Sequence, residues 1–204
     1  MKKILYLHGF GSSGASGTVE VLRHAFWDKE KDPAKRIQVL APDIPVDPQD
    51  ALPMLKALVE KEQPDLIVGT SMGGMYAQQL RGFPRICVNP SFGTSKLYSL
   101  LHVGKYKWLN RRRDGALEFH VYKETIEAFR EMEAHQFDGI DEVEQLFCHG
   151  LFGDADELAG DNRALFERHY PGMSVGYAGG HQLNADVVKD TLVPFIRSLG
   201  IWPN

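Results

Sequence analysis

Ser71 stands in the run Gly69-Thr70-Ser71-Met72-Gly73. A serine hydroxyl is a poor nucleophile until a base takes its proton, and Gly-x-Ser-x-Gly is the spacing that turns a strand sharply into a helix with the serine projecting. The bare pattern arises by chance in about one chain of this length in ten, so its surroundings decide. Here an apolar run over 65–69 precedes it and a helical segment to about residue 80 follows. The competing reading is an ordinary helix start capped by the Ser71 hydroxyl.

Such a serine needs a base, an acid behind the base, and donors for the oxyanion that forms on attack. His181 lies in Ala178-Gly179-Gly180-His181-Gln182, after the last apolar strand-like stretch. An acidic loop, Gly153-Asp154-Ala155-Asp156-Glu157, precedes it, giving the chain order serine, acid, histidine. Asp156 is the first choice for the acid, Asp154 the second and Glu157 the third. The histidines at 8, 24, 102, 120, 135, 149 and 169 fall mostly in helices or strand ends and read as structural. The amides of Met72, after the serine, and of Phe10, in His8-Gly9-Phe10-Gly11-Ser12-Ser13, are the expected oxyanion donors. Gly9, Gly11 and Gly14 also match a dinucleotide-binding pattern. That pattern requires an acid about 20 residues on at a strand end, whereas Asp28 falls in a helix and Asp43 lies too far along.

The elements that must position these residues alternate. Apolar stretches at 3–8, 36–41, 65–69, 85–89, 143–149 and 174–177 read as strands. Helical patterns fall at 18–28, 48–61, after Ser71, at 162–170 and at 185–199, the last with Pro194 as a possible kink. This predicts an α/β fold, a mostly parallel sheet of about six strands flanked by helices, with ligands bound beyond the carboxyl ends of the strands. Residues 91–142 break the rhythm, with helical patches near 95–101 and 124–135, and read as a small helical cap insertion within a single domain spanning 1–204. Leu97, Leu100, Leu101, Tyr106 and Trp108 are candidates to line an acyl pocket, or are ordinary core. Arg111, Arg112 and Arg113 are either an anion site, for instance for a coenzyme A phosphate, or a solvated turn.

With 204 residues, 43% of them hydrophobic and 25% charged, the chain is long enough for a core of its own. A net charge of −4 supplies no positive field for nucleic acid, so a small-molecule partner is expected. The apolar run after Met1-Lys2-Lys3 is too short for a signal peptide and no stretch reaches membrane-spanning length, which predicts a cytoplasmic protein with no membrane partner. Cys87 and Cys148 sit in apolar stretches as unpaired thiols without metal-ligand spacing, and neither a metal nor a cofactor is expected.

Taken together, His8-Gly9-Phe10, Gly69-Thr70-Ser71-Met72-Gly73-Gly74, Asn89-Pro90, Gly153-x-x-Asp156-Glu157-Leu158 and Gly180-His181 resemble the small YqiA-type esterases of the α/β-hydrolase superfamily, over nearly the full length. The resemblance implies an α/β-hydrolase fold with Ser71, Asp156 and His181 as a catalytic triad. It favours Asp156 over Asp154, because the family acid stands three residues after the loop glycine. It further implies cleavage of carboxylic esters through an acyl-enzyme on Ser71. The alternatives are an acyl-CoA thioesterase using the same triad, or a hydrolase-like protein that only binds. Residues 91–142 match less distinctively, so substrate choice does not carry over.

Overall fold

The computed structural model describes residues 1–96, 102–158 and 161–201. Six parallel strands form one sheet in the order β2-β1-β3-β4-β7-β8: β1 (Lys2–Leu7), β2 (Ile37–Leu40), β3 (Leu66–Thr70), β4 (Arg85–Val88), β7 (Cys148–Gly153) and β8 (Ser174–Tyr177). Helices cover both faces, giving the layered α/β architecture expected of an α/β-hydrolase. The two-residue period of β1 divides the core. Leu5 and Leu7 pack with α2 (Pro48–Glu62) and α3 (Met72–Gln79) on one face, while Ile4 and Tyr6 meet α1 (Gly17–Arg23) and the C-terminal helical segment on the other. Each face therefore holds its own apolar cluster, and β1, β3 and β4 contribute to both.

The chain leaves β1 toward β2 on one side and reaches β3 on the other. This reversal opens a crevice beyond the carboxyl ends of β1 and β3, where the loop carrying Phe10 and the turn carrying Ser71 emerge. Helix α2 has Asp47 as its N-cap, accepting from the Gln49 amide, with Pro48 in the first turn. Its inward residues are Ala51, Leu55 and Val59, with Leu52 and Leu58 half-buried beside them. The C-terminal segment runs as α7 (Ala185–Val187), a π-helical turn over Val188–Leu192, and α8 (Val193–Ser198). Pro194, which has no N–H to donate, enters just after the widened turn, in the first turn of α8.

Two stretches differ from the sequence expectation. The strand expected at 143–149 is displaced: Glu142–Leu146 forms a short helix, α5, and β7 begins at Cys148. Asp141 caps that helix through the Glu144 amide, and Val143 and Leu146 are exposed, so capping overrides the β-branched pattern there. Within 91–142, Gly104–Lys107 (β5) and Glu118–Val121 (β6) form an antiparallel hairpin, and Lys123–His135 (α4) packs Ile126 and Phe129 into the core beside α2. The helical patch at 95–101, with Leu97, Leu100 and Leu101, lies largely outside the described residues. Helix α6 (Asn162–His169) joins β7 to β8 as expected.

Cys87 and Cys148 are buried free thiols on neighbouring strands, with sulfurs 3.6 Å apart. Among the described residues no helix is long and apolar enough to cross a membrane, and no group of three or more His, Cys, Asp or Glu side chains is arranged to hold a metal ion.

Candidate active site

Ser71 sits between β3 and α3 with φ 55° and ψ −120°, a conformation costing an L-residue on the order of 1–3 kcal/mol. Its neighbours hold it there. The Ser71 amide donates to the Val88 carbonyl at 3.0 Å, and the Ser71 carbonyl accepts from Met75 at 3.1 Å and from Ser91 at 3.0 Å. A side chain on Gly69 would collide with the Gly73 carbonyl, and one on Gly73 with the Leu7 carbonyl, so the two glycines of the pattern let the turn close. No capping bond forms from the Ser71 side chain, which removes the reading of this serine as a helix cap.

Its hydroxyl points instead at His181, 2.9 Å from Nε2. On the other edge of the ring, Nδ1 lies 3.0 and 2.9 Å from the two oxygens of Asp156. A carboxylate only accepts, so the hydrogen-bond partners assign the proton to Nδ1 and leave the Nε2 lone pair facing the serine. The Asp156 side chain is 4% exposed and also takes the Leu158 amide at 2.9 Å. Asp154 points away, with 64% of its side chain exposed and Arg163 at 3.9 Å, and Glu157 is exposed. Of the three acids considered, the structure brings Asp156 alone to the imidazole.

Phe10 belongs to the loop after β1 and Met72 is the first residue of α3; the two flank Ser71, and Gly9 packs against it. The hairpin braces this loop. Phe10 meets Phe119 edge-on at 5.2 Å and Tyr106 at 6.2 Å. The Leu109 amide donates to the Gly11 carbonyl at 2.7 Å, Asn110 Nδ2 to Ser12 Oγ at 3.0 Å, and Ser13 Oγ to the Arg111 carbonyl at 2.8 Å. Asp43 completes the clamp by accepting from the amides of Gly14 at 2.8 Å and Arg113 at 2.7 Å. His8 works from beneath: Nδ1–H donates to the Gly9 carbonyl at 2.8 Å and Nε2 accepts from Ile44 at 2.9 Å. Burial, with the Arg112 charge adding to it, lowers the His8 pKa to about 4, against the opposing pull of the Gly9 bond and Asp43. It is therefore a neutral structural bridge.

A cleft of about 550 Å³ opens on Ser71 and His181, with Phe10, Leu109, Leu158 and Leu183 among its apolar walls and Ser12, Thr18, Asn110 and Gln182 among its polar ones. Tyr106 and Trp108 are not in this lining; they stand behind it, Tyr106 against Phe10 and Trp108 beneath Arg112. Arg112 is not a solvated turn residue. Its side chain is 7% exposed, lies 4.1 Å over the Trp108 ring, and bonds Asp114 and the Ile44 carbonyl. The sequence reading also gave no role to Asn89, whose buried amide joins the loops of Asp156 and His181; an asparagine at a strand end carries no signal of this by itself.

The first half of the chain, residues 3–105, matches the model of the uncharacterised protein family UPF0227, the YqiA-like esterase family. The chain belongs to this family. Solved structures similar to this UPF0227 member are α/β-hydrolases. Est1E from Butyrivibrio proteoclasticus superimposes with a TM-score of 0.66 at 13% identity, over 97% of this chain and 87% of Est1E. Alpha/beta hydrolase domain-containing protein 10 from mouse gives 0.63 at 12% identity, over 97% and 88%. FphF of Staphylococcus aureus, a fluorophosphonate-binding serine hydrolase, gives 0.57 at 16% identity, over 98% and 83%. At such identities the likeness is one of fold, and the UPF0227 chain shares it along nearly its whole length.

Proposed function

We propose that this protein is a serine hydrolase that cleaves small carboxylic esters through an acyl-enzyme on Ser71. The observation that carries the reading is the unbroken chain of hydrogen bonds from Ser71 Oγ through both nitrogens of His181 to Asp156. In the first half-reaction Ser71 Oγ attacks the acyl carbonyl carbon while His181 Nε2 takes the hydroxyl proton. Asp156 holds the ring and stabilises the imidazolium. The amides of Phe10 and Met72 receive the oxyanion, and the proton on Nε2 passes to the departing alkoxide as the tetrahedral adduct collapses. Water then gives a proton to His181 Nε2 as its oxygen attacks the acyl carbon. As this second adduct collapses, the Oγ–acyl bond breaks and His181 returns the proton to Ser71 Oγ, releasing the acid. No cofactor enters this cycle. Family membership and the shared fold agree with the reading, as does the name of FphF, a serine hydrolase that binds fluorophosphonates.

Fluorophosphonate labelling, followed by turnover of a p-nitrophenyl ester, tests it. The wild-type protein is expected to label at Ser71 and hydrolyse the ester, and Ser71→Ala to do neither while unfolding at the same temperature. Asp156→Asn is expected to lower kcat on the order of 10⁴-fold, as in the worked serine-protease triad, and Asp154→Asn to leave it near wild type. A folded wild-type protein that neither labels nor turns over would instead be a binding protein on a hydrolase fold.

A further inference from the structure

Asn89 follows β4, is fully buried, and has φ 42°, a left-handed conformation that asparagine tolerates better than most residues. Its side chain reaches two loops at once. Nδ2 faces three oxygens, the Tyr177 hydroxyl at 2.7 Å and the carbonyls of Gly180 and His181 at 3.0 Å each. Oδ1 accepts from the Gly153 amide at 2.8 Å. With oxygens on one edge and an N–H on the other, the amide has a single orientation that satisfies both. Gly153 begins the loop that carries Asp156, and Gly180 and His181 are the loop of the base. One rigid planar group therefore sets the spacing between acid and base from below.

The surroundings reinforce this. The two loops run so close that a side chain on Gly153 would meet the Gly179 and Gly180 carbonyls. The Asp154 and Ala155 amides bond the Tyr177 and Gly179 carbonyls at 2.9 Å each. The Tyr177 hydroxyl donates its own hydrogen bond to the Gly180 carbonyl at 3.1 Å. Burial holds that phenol above its ordinary pKa, so it remains a neutral donor.

We infer that Asn89 is a positioning residue, which fixes the register of His181 against Asp156 and Ser71 by bonding the backbone of both loops, without itself touching substrate. This rests on the reading of Ser71 as nucleophile. Displacing a reacting group by about 1 Å costs on the order of 100-fold in rate, so a brace of this kind acts on kcat rather than on binding.

Asn89→Asp is the decisive variant. It keeps the size and backbone tolerance of asparagine but turns an oxygen toward the Gly180 and His181 carbonyls. Active sites are titrated with a fluorophosphonate, kcat per titrated site and KM are measured on p-nitrophenyl butyrate, and the low-field proton resonance of His181 Nδ1–H is recorded. The expected result is a fall in kcat per titrated site of about 10- to 100-fold with KM within about threefold. The low-field resonance is lost while the rest of the spectrum stays dispersed. Tyr177→Phe, a milder change, covers the case in which Asn89→Asp does not fold; a fall of about 3- to 10-fold in kcat is expected, the equivalent of one hydrogen bond. Wild-type kcat per titrated site, or an unchanged resonance, in a folded variant would overturn the inference. Absence of labelling and turnover in the wild-type protein would instead remove the proposed function, and the resonance alone then decides whether Asn89 sets the histidine.

Discussion

His8 illustrates how far a residue can be read from its type. Next to a glycine-rich loop a histidine could be a base, yet its two nitrogens are occupied by the Gly9 carbonyl and the Ile44 amide, and its pKa is pushed down to about 4. The unfolded chain takes up this proton near the ordinary value of 6.5, and the folded one does not until about 4. The stability contributed by neutral His8 is therefore complete above pH 6.5 and is lost as the pH falls from 6.5 toward 4, in total on the order of 3 kcal/mol. Urea unfolding of wild type and His8→Gln at pH 7.5 and pH 4 measures it. The variant is expected to be less stable at pH 7.5, with the gap narrowing by roughly that amount at pH 4; a constant gap would show that His8 is not the titrating group. Ser71 and His181 were legible because their glycine neighbours mark them. Asp156 was already the first choice, favoured by its spacing from Gly153, and the direction of its side chain now sets it apart from Asp154 and Glu157 in the same loop. Asn89 was visible only as part of the Asn89-Pro90 motif, with no role attached, because that role lies in what four distant atoms do around it.

At the scale of elements, strands such as β3 and helices such as α2 announce themselves through apolar runs, periodicity and caps, and their alternation predicts a parallel sheet, whereas the strand order is visible only in the structure. The hairpin of β5 and β6 escaped because each strand has four residues, several of them charged, and its stability comes from contacts with Phe10 and the loop after β1 rather than from its own pattern. Helix α5 was mistaken for a strand because Val143 and Leu146 look like core residues, although both are exposed. The turn between β3 and α3 makes a sharper claim. A methyl group on Gly69 meets the Gly73 carbonyl at a backbone crossing that cannot yield without moving α3 off the sheet. Gly69→Ala is therefore expected to destabilise the fold by about 3 kcal/mol or more, measured as a lower urea midpoint. Gly17→Ala, where a methyl group would meet nothing within 4 Å, is expected to be neutral or slightly stabilising. Equal effects at the two positions would mean that the turn relaxes more easily than its packing implies.

Over the whole molecule, charge offers a test that tells esters from coenzyme A thioesters. The chain carries a net charge of −4, and among the described residues neither lysine nor arginine lines the cleft at Ser71, where Glu20 is part of the lining. The arginine of the 111–113 turn nearest to being a built anion site, Arg112, is committed to Asp114, Ile44 and Trp108. An anionic leaving group bearing several phosphates thus approaches a like-charged protein without a cation waiting at the cleft, and added salt screens that repulsion. Raising ionic strength from about 10 to about 300 mM, where the screening length drops from about 30 Å to several ångströms, is expected to raise kcat/KM for butyryl-CoA. The same change is expected to leave kcat/KM for uncharged p-nitrophenyl butyrate almost unaltered. A fall in the butyryl-CoA value with salt would mean attraction instead of repulsion, and would point to Arg111 or Arg113, both exposed beside the clamp on the Phe10 loop, as the source of it.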